Sequence, residues 1–304
     1  MPVKDQPEPL RNDRGAAGLY VISMLIFGTI GLFRRYIPVP SAFLSCFRGL
    51  FGGLLLLLFT RPRKKDGPAV PAGRALPALA LSGAVIGFNR MLLFEAYSHT
   101  TVAVATLCYY MQPTLVMLLS PLFFHERLTL RKSVCAAVAV LGMILVSGVT
   151  EGAAAREGNL RGIVEGLSAA VCYAAVIILN KKVTGIDPYR KTTVQLLSAG
   201  IVMIPYLLFT GGFTGLSFTR ATLPLLLTVG VIHTGLAYVL CFGSMDRLPA
   251  QSVAMLSYID PVTALLVSAL ILREPLSPAG ILGAVLIISS AVVSELRGKA
   301  PAPP

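Results

Sequence analysis

Two polar residues stand beside prolines in the middle of long apolar segments. Gln112 precedes Pro113, and Asp260 precedes Pro261. A proline inside a helix removes one amide donor and clashes with the carbonyl four residues back, which opens the backbone at that point. In a bilayer an acidic side chain costs about 2.5–3.5 kcal/mol at mid-depth, so it normally faces a cavity or a partner. We therefore expect binding near these prolines, although both could serve only to kink the helices. Asp260 could be a cation ligand, a proton carrier or a hydrogen-bonded structural carboxylate.

A second set of candidates is charged and lies toward one end of the apolar segments. It consists of the cations Arg48 and Arg90 and the anions Glu95 and Glu165. These charges could neutralise one another in a structural ion-pair network, with Arg161 one turn before Glu165 as a further partner. The other interpretation is that Arg48 or Arg90 binds a carboxylate or phosphate of a ligand, because the guanidinium fork matches both groups.

The remaining candidates are uncharged polar side chains deep in the apolar segments. Asn89 could add a hydrogen bond beside its arginine neighbour. His233 has a side chain whose unperturbed pKa of about 6.5 suits proton relay, but it could equally be a neutral, hydrogen-bonded core residue. Tyr110, Tyr238 and Tyr258 could line a cavity and offer cation–π contacts, or could simply pack between helices.

The segments that carry these residues are too apolar for a protein dissolved in water. The chain is 55% hydrophobic and only 13% charged, with a mean hydropathy of +0.76, whereas soluble domains are about 25% charged. A helix that crosses a bilayer needs roughly 20 apolar residues. The sequence predicts an all-α polytopic membrane protein with ten transmembrane helices: 16–34, 39–60, 75–97, 101–122, 131–149, 160–180, 190–210, 221–244, 249–272 and 278–296.

The sequence contains a repeat of five such segments. Residues 93–147 align with 241–295 without a gap, and Gly15 to Arg48 align with Gly162 to Gln195. The matched pairs include Phe94 with Phe242, Tyr110 with Tyr258, Pro113 with Pro261 and Glu126 with Glu274. An odd number of spans makes the second repeat enter the membrane upside down, which is an architecture of secondary transporters with a site between the halves. We expect a tail (1–14), a first repeat (15–149), a linker (150–159), a second repeat (160–296) and a tail (297–304).

The net charge of +12 reflects orientation in a membrane rather than nucleic-acid binding. With both termini in the cytoplasm, the cytoplasmic segments hold 18 of the 26 basic residues and the outer loops hold six. Basic residues are enriched in cytoplasmic loops of membrane proteins. The expected location is the cytoplasmic (inner) membrane. The cytoplasmic residues are Lys4, Arg11, Arg14, Arg61, Arg63, Lys64, Lys65, Arg74, Arg127, Arg131, Lys132, Lys181, Lys182, Arg190, Lys191, Arg247, Arg297 and Lys299.

Two matched glutamates precede the last helix of each repeat. Glu126 is followed by Arg-Leu-Thr and Glu274 by Pro-Leu-Ser, so that Thr129 and Ser277 stand where a helix N-cap belongs. We expect each glutamate to order its short connection by capping backbone amides or by pairing with Arg127, Arg131 or Arg273. Such contacts at opposite membrane faces would bias which face is open. The alternative is that the glutamates only terminate helices.

The duplicated five-helix unit, the mid-segment prolines and the Glu-x-Leu-Thr/Ser step resemble the EamA family of the drug/metabolite transporter superfamily, over residues 15–296. The resemblance implies a carrier of small metabolites such as amino acids, amines or related compounds, with a cavity between the repeats. We expect a small-molecule substrate and the lipid bilayer as partners, a monomer or weak homodimer, and neither a cofactor, a metal nor nucleic acid. The rival classes are an intramembrane enzyme and a passive membrane scaffold, but enzyme signatures are missing from the sequence.

Overall fold

The computed structural model describes residues 14–59, 72–124, 130–146, 159–181, 183, 186–214, 216, 218–245, 247–248 and 250–295. Within these ranges the regular structure is helical. The first half contains α1 (Arg14–Gly28), α2 (Ile30–Tyr36), α3 (Ser41–Phe59), α4 (Ala72–His99), α5 (Val102–Tyr109), α6 (Gln112–Phe124) and α7 (Leu130–Val146). The second half contains α8 (Asn159–Lys181), α9 (Pro188–Phe209), α10 (Thr222–Thr228), α11 (Ala237–Met245), α12 (Ala250–Ser257), α13 (Ile259–Leu266) and α14 (Pro278–Glu295). Two π-helical stretches, Val229–Leu236 and Val267–Ile271, join α10 to α11 and follow α13.

Seven helical segments in the described ranges are long and apolar enough to cross a membrane. Three further apolar helices are shorter, at Ser133–Val146, Ile259–Ile271 and Pro278–Val293. The prediction of an all-α chain with many apolar spans is confirmed at this level. The seven long segments are Arg14–Tyr36, Ser41–Leu58, Ala75–His99, Val102–Leu119, Asn159–Asn180, Pro188–Phe209 and Thr222–Met245.

The helix packing follows the repeat in the sequence. Helix α4 of the first repeat packs along α8 of the second, and the equivalent pair, α11 and α1, also packs together. Helices α3 and α9 are repeat equivalents and pack on each other, as do α7 and α14. Gly142 and Gly283 allow the last pair to approach closely, since a Cβ on either glycine would meet the carbonyl oxygen of the other within 2.7 Å. The two halves therefore form one bundle with matched partners rather than two separate domains.

The predicted single spans are interrupted at the prolines. Helix α5 ends at Tyr109 and α6 begins at Gln112, so the break lies immediately before Pro113. Helix α12 ends at Ser257 and α13 begins at Ile259, so the break at Tyr258 lies three residues before Pro261. Three further irregularities were not predicted, because none of them contains a proline: the break between α1 and α2 at Thr29 and the two π-helical stretches.

Candidate functional site

A central cavity of about 330 Å³ lies between the repeats. Helices α1, α4, α8 and α11 and the two proline breaks contribute to its wall. Its charged lining residues are Arg48, Arg90 and Asp260. Its size suits a small organic molecule, because ligand pockets usually measure about 300–1,000 Å³. The wall is rich in tyrosine, with Tyr20, Tyr97, Tyr109, Tyr110, Tyr173, Tyr238 and Tyr258.

Asp260 is held at the cavity wall by a hydrogen bond between the two repeats. The Tyr110 hydroxyl donates to Asp260 Oδ2 at 2.6 Å. Gly28 lets α1 approach closely at this point, since a Cβ there would lie 2.6 Å from the Asp260 carbonyl oxygen. Gln112, the repeat equivalent of Asp260, also lines the cavity, and its buried Oε1 atom has no hydrogen-bond partner among the described residues. Both equivalent positions thus place a residue with acceptor oxygens in the cavity wall.

Arg48 is fixed in the cavity wall. Its Nε atom donates to Thr234 Oγ1 at 3.0 Å, and its guanidinium lies 5.3 Å from the centre of the Phe94 ring. Only 6% of Arg48 is exposed. Thr234 belongs to the π-helical stretch Val229–Leu236 and donates its own hydroxyl to the Val229 carbonyl at 3.2 Å. The π-helical turn therefore leaves a hydroxyl oxygen free to accept from the arginine, a placement that the sequence did not signal.

Arg90 is less firmly held. Its Nη2 atom lies 3.5 Å from the Tyr238 hydroxyl, and its guanidinium lies 6.0 Å from the centre of the Tyr109 ring. Arg90 and Tyr238 occupy equivalent positions in the two repeats, so the cavity lies where the halves meet. In the part of the chain that the structure describes, Arg48 and Arg90 have no carboxylate within ion-pairing distance. Both guanidinium groups therefore lie in the cavity wall outside ion-pairing distance of the described carboxylates, and Asp260 in the same wall interacts with Arg90 over a longer distance.

The structure contradicts an ion-pair network of the two arginines with Glu95 and Glu165. The predicted contact of Glu165 with Arg161 is present at 2.9 Å, and its second partner is His99 at 2.9 Å rather than Arg48 or Arg90. Glu95 lies 3.8 Å from Arg161. The reason is depth: these carboxylates lie at the end of α4 and the beginning of α8, beyond the reach of the arginines in the cavity wall. His99 was not singled out in the sequence.

Two predicted site residues lie behind the cavity wall rather than on it. Asn89 is fully buried and donates to the Ala169 carbonyl at 2.6 Å, tying α4 to α8. His233 is 2% exposed, and its Nε2 atom lies 2.9 Å from Thr29 Oγ1. Neither residue is among those lining the central cavity. Both side chains hold helices together behind the cavity wall. Among the described residues His233 does not contact Asp260, so the structure does not support proton relay between them.

Glu274 joins the two repeats at one end of the bundle. Its carboxylate contacts the Arg35 guanidinium and accepts from the Val102 amide at 2.8 Å and from the Ser268 hydroxyl at 2.5 Å. We call these four residues the Glu274 latch. The carboxylate thus caps α5, where the positive end of the helix dipole adds to the attraction. The expected capping of a backbone amide is present. The cationic partner is Arg35 rather than the neighbouring Arg273, where the chain turns with a φ of +54°. Glu126 lies outside the described residues.

Further contacts join the helices at the latch end, and a second cavity lies toward the opposite end. At the latch end, Thr100 donates to Asn159 Oδ1 at 2.5 Å, and the Glu165 and His99 pair lies nearby. Toward the other end lies a second cavity of about 340 Å³, lined in part by Pro188 and Lys191 at the start of α9. We call it the Lys191 vestibule. No pattern in the sequence predicts it, because its wall combines α8 and α9 with α4 and α11, which are distant from them in the sequence.

Comparisons with known proteins agree with this architecture. The EamA-like transporter family matches residues 15–148 and again residues 160–295. These two matches cover most of the chain, one for each repeat. The chain therefore belongs to the EamA-like transporter family and is a multi-pass membrane protein.

Individual relatives include one named as a transporter and one named as an efflux pump. The uncharacterized transporter YxxF of Bacillus subtilis (strain 168) is 29% identical over 92% of this chain and 90% of its own length. Protein PecM of Dickeya dadantii is 26% identical, covering 86% of this chain and 85% of its own. A "probable amino-acid metabolite efflux pump" of Salmonella typhimurium is 28% identical, covering 81% of this chain and 84% of its own. A crystal structure with 20% identity superposes with a TM-score of 0.59, covering 93% of this chain and 98% of that one, which supports the fold.

Proposed function

We propose that this protein is a secondary transporter that moves a small amphoteric metabolite, of the amino-acid type, across the cytoplasmic membrane by alternating access. The observation that carries this proposal is the charge pattern of the central cavity. Among the described residues, Arg48 and Arg90 have no carboxylate within ion-pairing distance, while Asp260 and Gln112, two residues with acceptor oxygens, lie in the wall of the same cavity. A molecule with both a carboxylate and an ammonium group would satisfy both sets.

Each charge of the cargo has a chemically matched partner. A guanidinium binds a carboxylate through two parallel hydrogen bonds, and Arg90 is the freer of the two arginines. An ammonium group has three donors and no acceptor, so it suits Asp260 and Gln112. The tyrosine-rich wall provides contact surface for the rest of the cargo. The name of the Salmonella relative, an amino-acid metabolite efflux pump, points to the same class of compound.

The proposed mechanism depends on ten transmembrane helices in two inverted repeats, 15–149 and 160–296, joined by 150–159. The matched packing of equivalent helices and the three shorter apolar helices support this count. With both termini in the cytoplasm of the inner membrane, the Glu274 latch lies on the outer side and the Lys191 vestibule opens inward. In that orientation we assign the structure to an inward-facing state, because the second cavity lies on that side of the central one. A membrane potential of 100 mV contributes about 2.3 kcal/mol per charge moved, enough for roughly fiftyfold accumulation if one charge is coupled.

Transport by the purified protein tests the function. The protein is reconstituted in liposomes loaded with one unlabelled compound, and entry of the same labelled compound by counterflow is measured. We expect counterflow with at least one zwitterionic amino acid, and slower counterflow with its amine and acid analogues. If none of a full panel of amino acids, amines and organic acids exchanges, the protein does not transport this class, and an intramembrane enzyme or scaffold becomes the better interpretation.

The orientation predicts which inserted cysteines an impermeant thiol reagent reaches. A cysteine at Ala154, in the linker between the repeats, should react from outside intact cells. A cysteine at Gly67, in the basic loop 61–74, should react only after the membrane is opened, because basic loops stay in the cytoplasm. Reaction of Gly67→Cys but not Ala154→Cys in intact cells would reverse the orientation.

Replacing Glu274 by glutamine should open the latch end. Glu274→Gln removes the charge that contacts Arg35 and weakens the hydrogen bonds from the Val102 amide and the Ser268 hydroxyl. The closed latch should lose about 1–2 kcal/mol, so the population with an open latch should rise roughly five- to thirtyfold. Cys241 lines the central cavity. In a variant that keeps only this cysteine, its reaction with an impermeant reagent from the latch side should accelerate by that factor, while cargo binding persists.

The matched control for the latch is Glu95→Gln. It removes a carboxylate at the same end of the bundle, where Glu95 makes only a 3.8 Å contact with the exposed Arg161. We expect it to leave the reaction of Cys241 unchanged. Equal rates for Glu274→Gln and the parent protein would mean that Glu274 only terminates a helix. The equivalent role of Glu126 on the opposite face stays a sequence prediction.

A further inference from the structure

The Lys191 vestibule shares a wall with the central cavity. It lies among α4, α8, α9 and α11, and five of its lining residues also line the central cavity: Arg90, Tyr173, Tyr238, Phe242 and Met245. A cargo molecule that passes from the vestibule to the centre therefore stays in contact with one set of side chains. Arg90 is the charged member of that set.

The charges in the vestibule wall are all positive. Lys191 and Arg90 are its charged lining residues, and no carboxylate lines it among the described residues. The nearest acidic side chain along the chain, Asp187, accepts from the amides of Tyr189 and Arg190 and so caps α9 instead. A cleft lined by charges of one sign raises the local concentration of ions of the opposite sign. The vestibule is thus suited to an anionic group.

Lys191 is anchored so that its charge stays at the vestibule. Its Nζ atom donates to the carbonyls of Asn180 at 3.0 Å and Val183 at 3.3 Å. An ammonium group has three donors, so one N–H is left for a ligand. Behind it, the Gln195 amide nitrogen donates to Ser82 at 2.6 Å and to Asn180 at 2.7 Å, which ties α9 to its neighbours.

The repeat shows that this cation is not required by the architecture. In the alignment of the two repeats, Lys191 corresponds to Leu44, which is fully buried in the hydrophobic core. If helix packing alone were needed here, an apolar residue such as Leu44 would serve, and a partly buried charge would not be required. The charge is therefore specific to the end of the bundle where the vestibule lies.

Arg90 can serve both cavities because it is held weakly. Its polar contact is the 3.5 Å approach to Tyr238, whereas Arg48 is fixed by a 3.0 Å hydrogen bond to Thr234. A long side chain with one weak contact can change rotamer without breaking a strong bond. Arg90 can thus face Lys191 in one rotamer range and the central cavity in another.

We propose that the Lys191 vestibule is a second binding site, which holds the carboxylate of the incoming cargo between Lys191 and Arg90 before Arg90 carries it into the central cavity. This inference rests on the proposed function for the identity of the cargo, but the anion site itself does not depend on it. In this proposal Lys191 selects for a carboxylate at the entrance, away from Asp260 in the central cavity.

An anion probe tests the vestibule without knowledge of the cargo. The chain contains no tryptophan, so its intrinsic fluorescence comes from tyrosine, and Tyr173 and Tyr238 line the vestibule. In detergent at constant ionic strength, Lys191→Gln should lower about twofold the iodide quenching constant of the emission that Tyr173→Phe and Tyr238→Phe remove, which comes from two of the ten tyrosines, because an attracting charge is lost. Quenching by neutral acrylamide should not change. Glutamine keeps donors for the Asn180 and Val183 carbonyls, so the cap on α8 is retained.

The matched control is Arg190→Gln, which removes an equal charge from the adjacent, exposed residue that does not line the vestibule. Lys191→Arg should restore iodide quenching. If Lys191→Gln and Arg190→Gln lower iodide quenching equally, or if neither does, the vestibule is not an anion site. A loss of thermal stability in Lys191→Gln that Lys191→Arg does not restore would assign Lys191 to helix capping alone.

Transport then separates the vestibule from the central site. With an amino acid that the wild-type protein exchanges, Lys191→Gln should raise KM about tenfold for loading from the vestibule side with kcat for that direction unchanged, and kcat/KM from the latch side should fall by the same factor because transport is reversible. An unchanged KM on the vestibule side would overturn the loading role while leaving the proposed transport intact. Absence of exchange by the wild-type protein would instead overturn the proposed function, and the iodide result would still decide the anion site.

Discussion

Replacing Arg90 by glutamine should weaken binding of the cargo by at least about thirtyfold. The proposed carboxylate loses its two-pronged partner inside a cavity shielded from bulk water, and removing one member of such a buried pair costs about 2–5 kcal/mol. The loss should be seen in the Kd measured with a labelled amino acid and in KM for counterflow. Arg48 should not substitute for it, because its Nε is engaged by Thr234 and its guanidinium lies over Phe94.

Arg90→Lys is the matched control for this variant. It keeps the charge but loses the planar fork, so binding should fall between that of wild type and Arg90→Gln. Tyr238→Phe removes the weak 3.5 Å contact and leaves the guanidinium in place, and we expect at most a small effect. If Arg90→Gln binds and transports the cargo as the wild type does, the carboxylate of the cargo is not bound at Arg90.

Replacing Asp260 by asparagine should weaken binding of the same cargo by about two- to thirtyfold. The substitution keeps the shape of the side chain and an oxygen that can accept from Tyr110, but it removes the charge that faces the ammonium group. A hydrogen bond to a charged group contributes about 1.5–3 kcal/mol, compared with about 1 kcal/mol for a neutral pair. We expect the variant to fold, because the Tyr110 contact that holds this side chain is retained.

Tyr110→Phe separates charge from positioning at this site. It leaves the Asp260 carboxylate but removes its 2.6 Å donor, so binding should weaken less than in Asp260→Asn. If Asp260→Asn transports normally at every pH tested, Asp260 is structural, and a purely anionic cargo bound by Arg48 and Arg90 becomes the better interpretation. Loss of pH dependence alone would instead assign Asp260 to proton transfer.

The positions of the helix breaks were predictable because their cause is local. A proline cannot donate to the carbonyl one turn earlier, and this holds in any surroundings. The sequence therefore placed the interruptions before Pro113 and Pro261 correctly. It also placed Asp260, Gln112 and Tyr110 together, because the repeat relates the two breaks to each other.

The partners of the charged residues were not predictable, because they depend on depth and rotation of helices that are distant in the sequence. Arg90 and Glu95 lie on the same helix, yet Glu95 faces Arg161 at the bundle end while Arg90 faces the cavity. Glu274 pairs with Arg35 across the repeats rather than with its neighbour Arg273. The π-helical turn that places Thr234 beside Arg48 has no sequence signature.

The most direct test of whether the cavity binds both charged groups of its cargo is competition with analogues in which one of these groups is chemically blocked. Counterflow of a labelled amino acid is inhibited by the unlabelled amino acid, by its methyl ester and by its N-acetyl derivative, in wild type, Arg90→Gln and Asp260→Asn. The ester lacks the carboxylate charge, so Arg90→Gln should not weaken its binding further. The N-acetyl derivative lacks the ammonium group, so Asp260→Asn should not weaken its binding further. If each variant weakens all three compounds by the same factor, Arg90 and Asp260 do not contact these groups, and the cavity does not recognise a zwitterion.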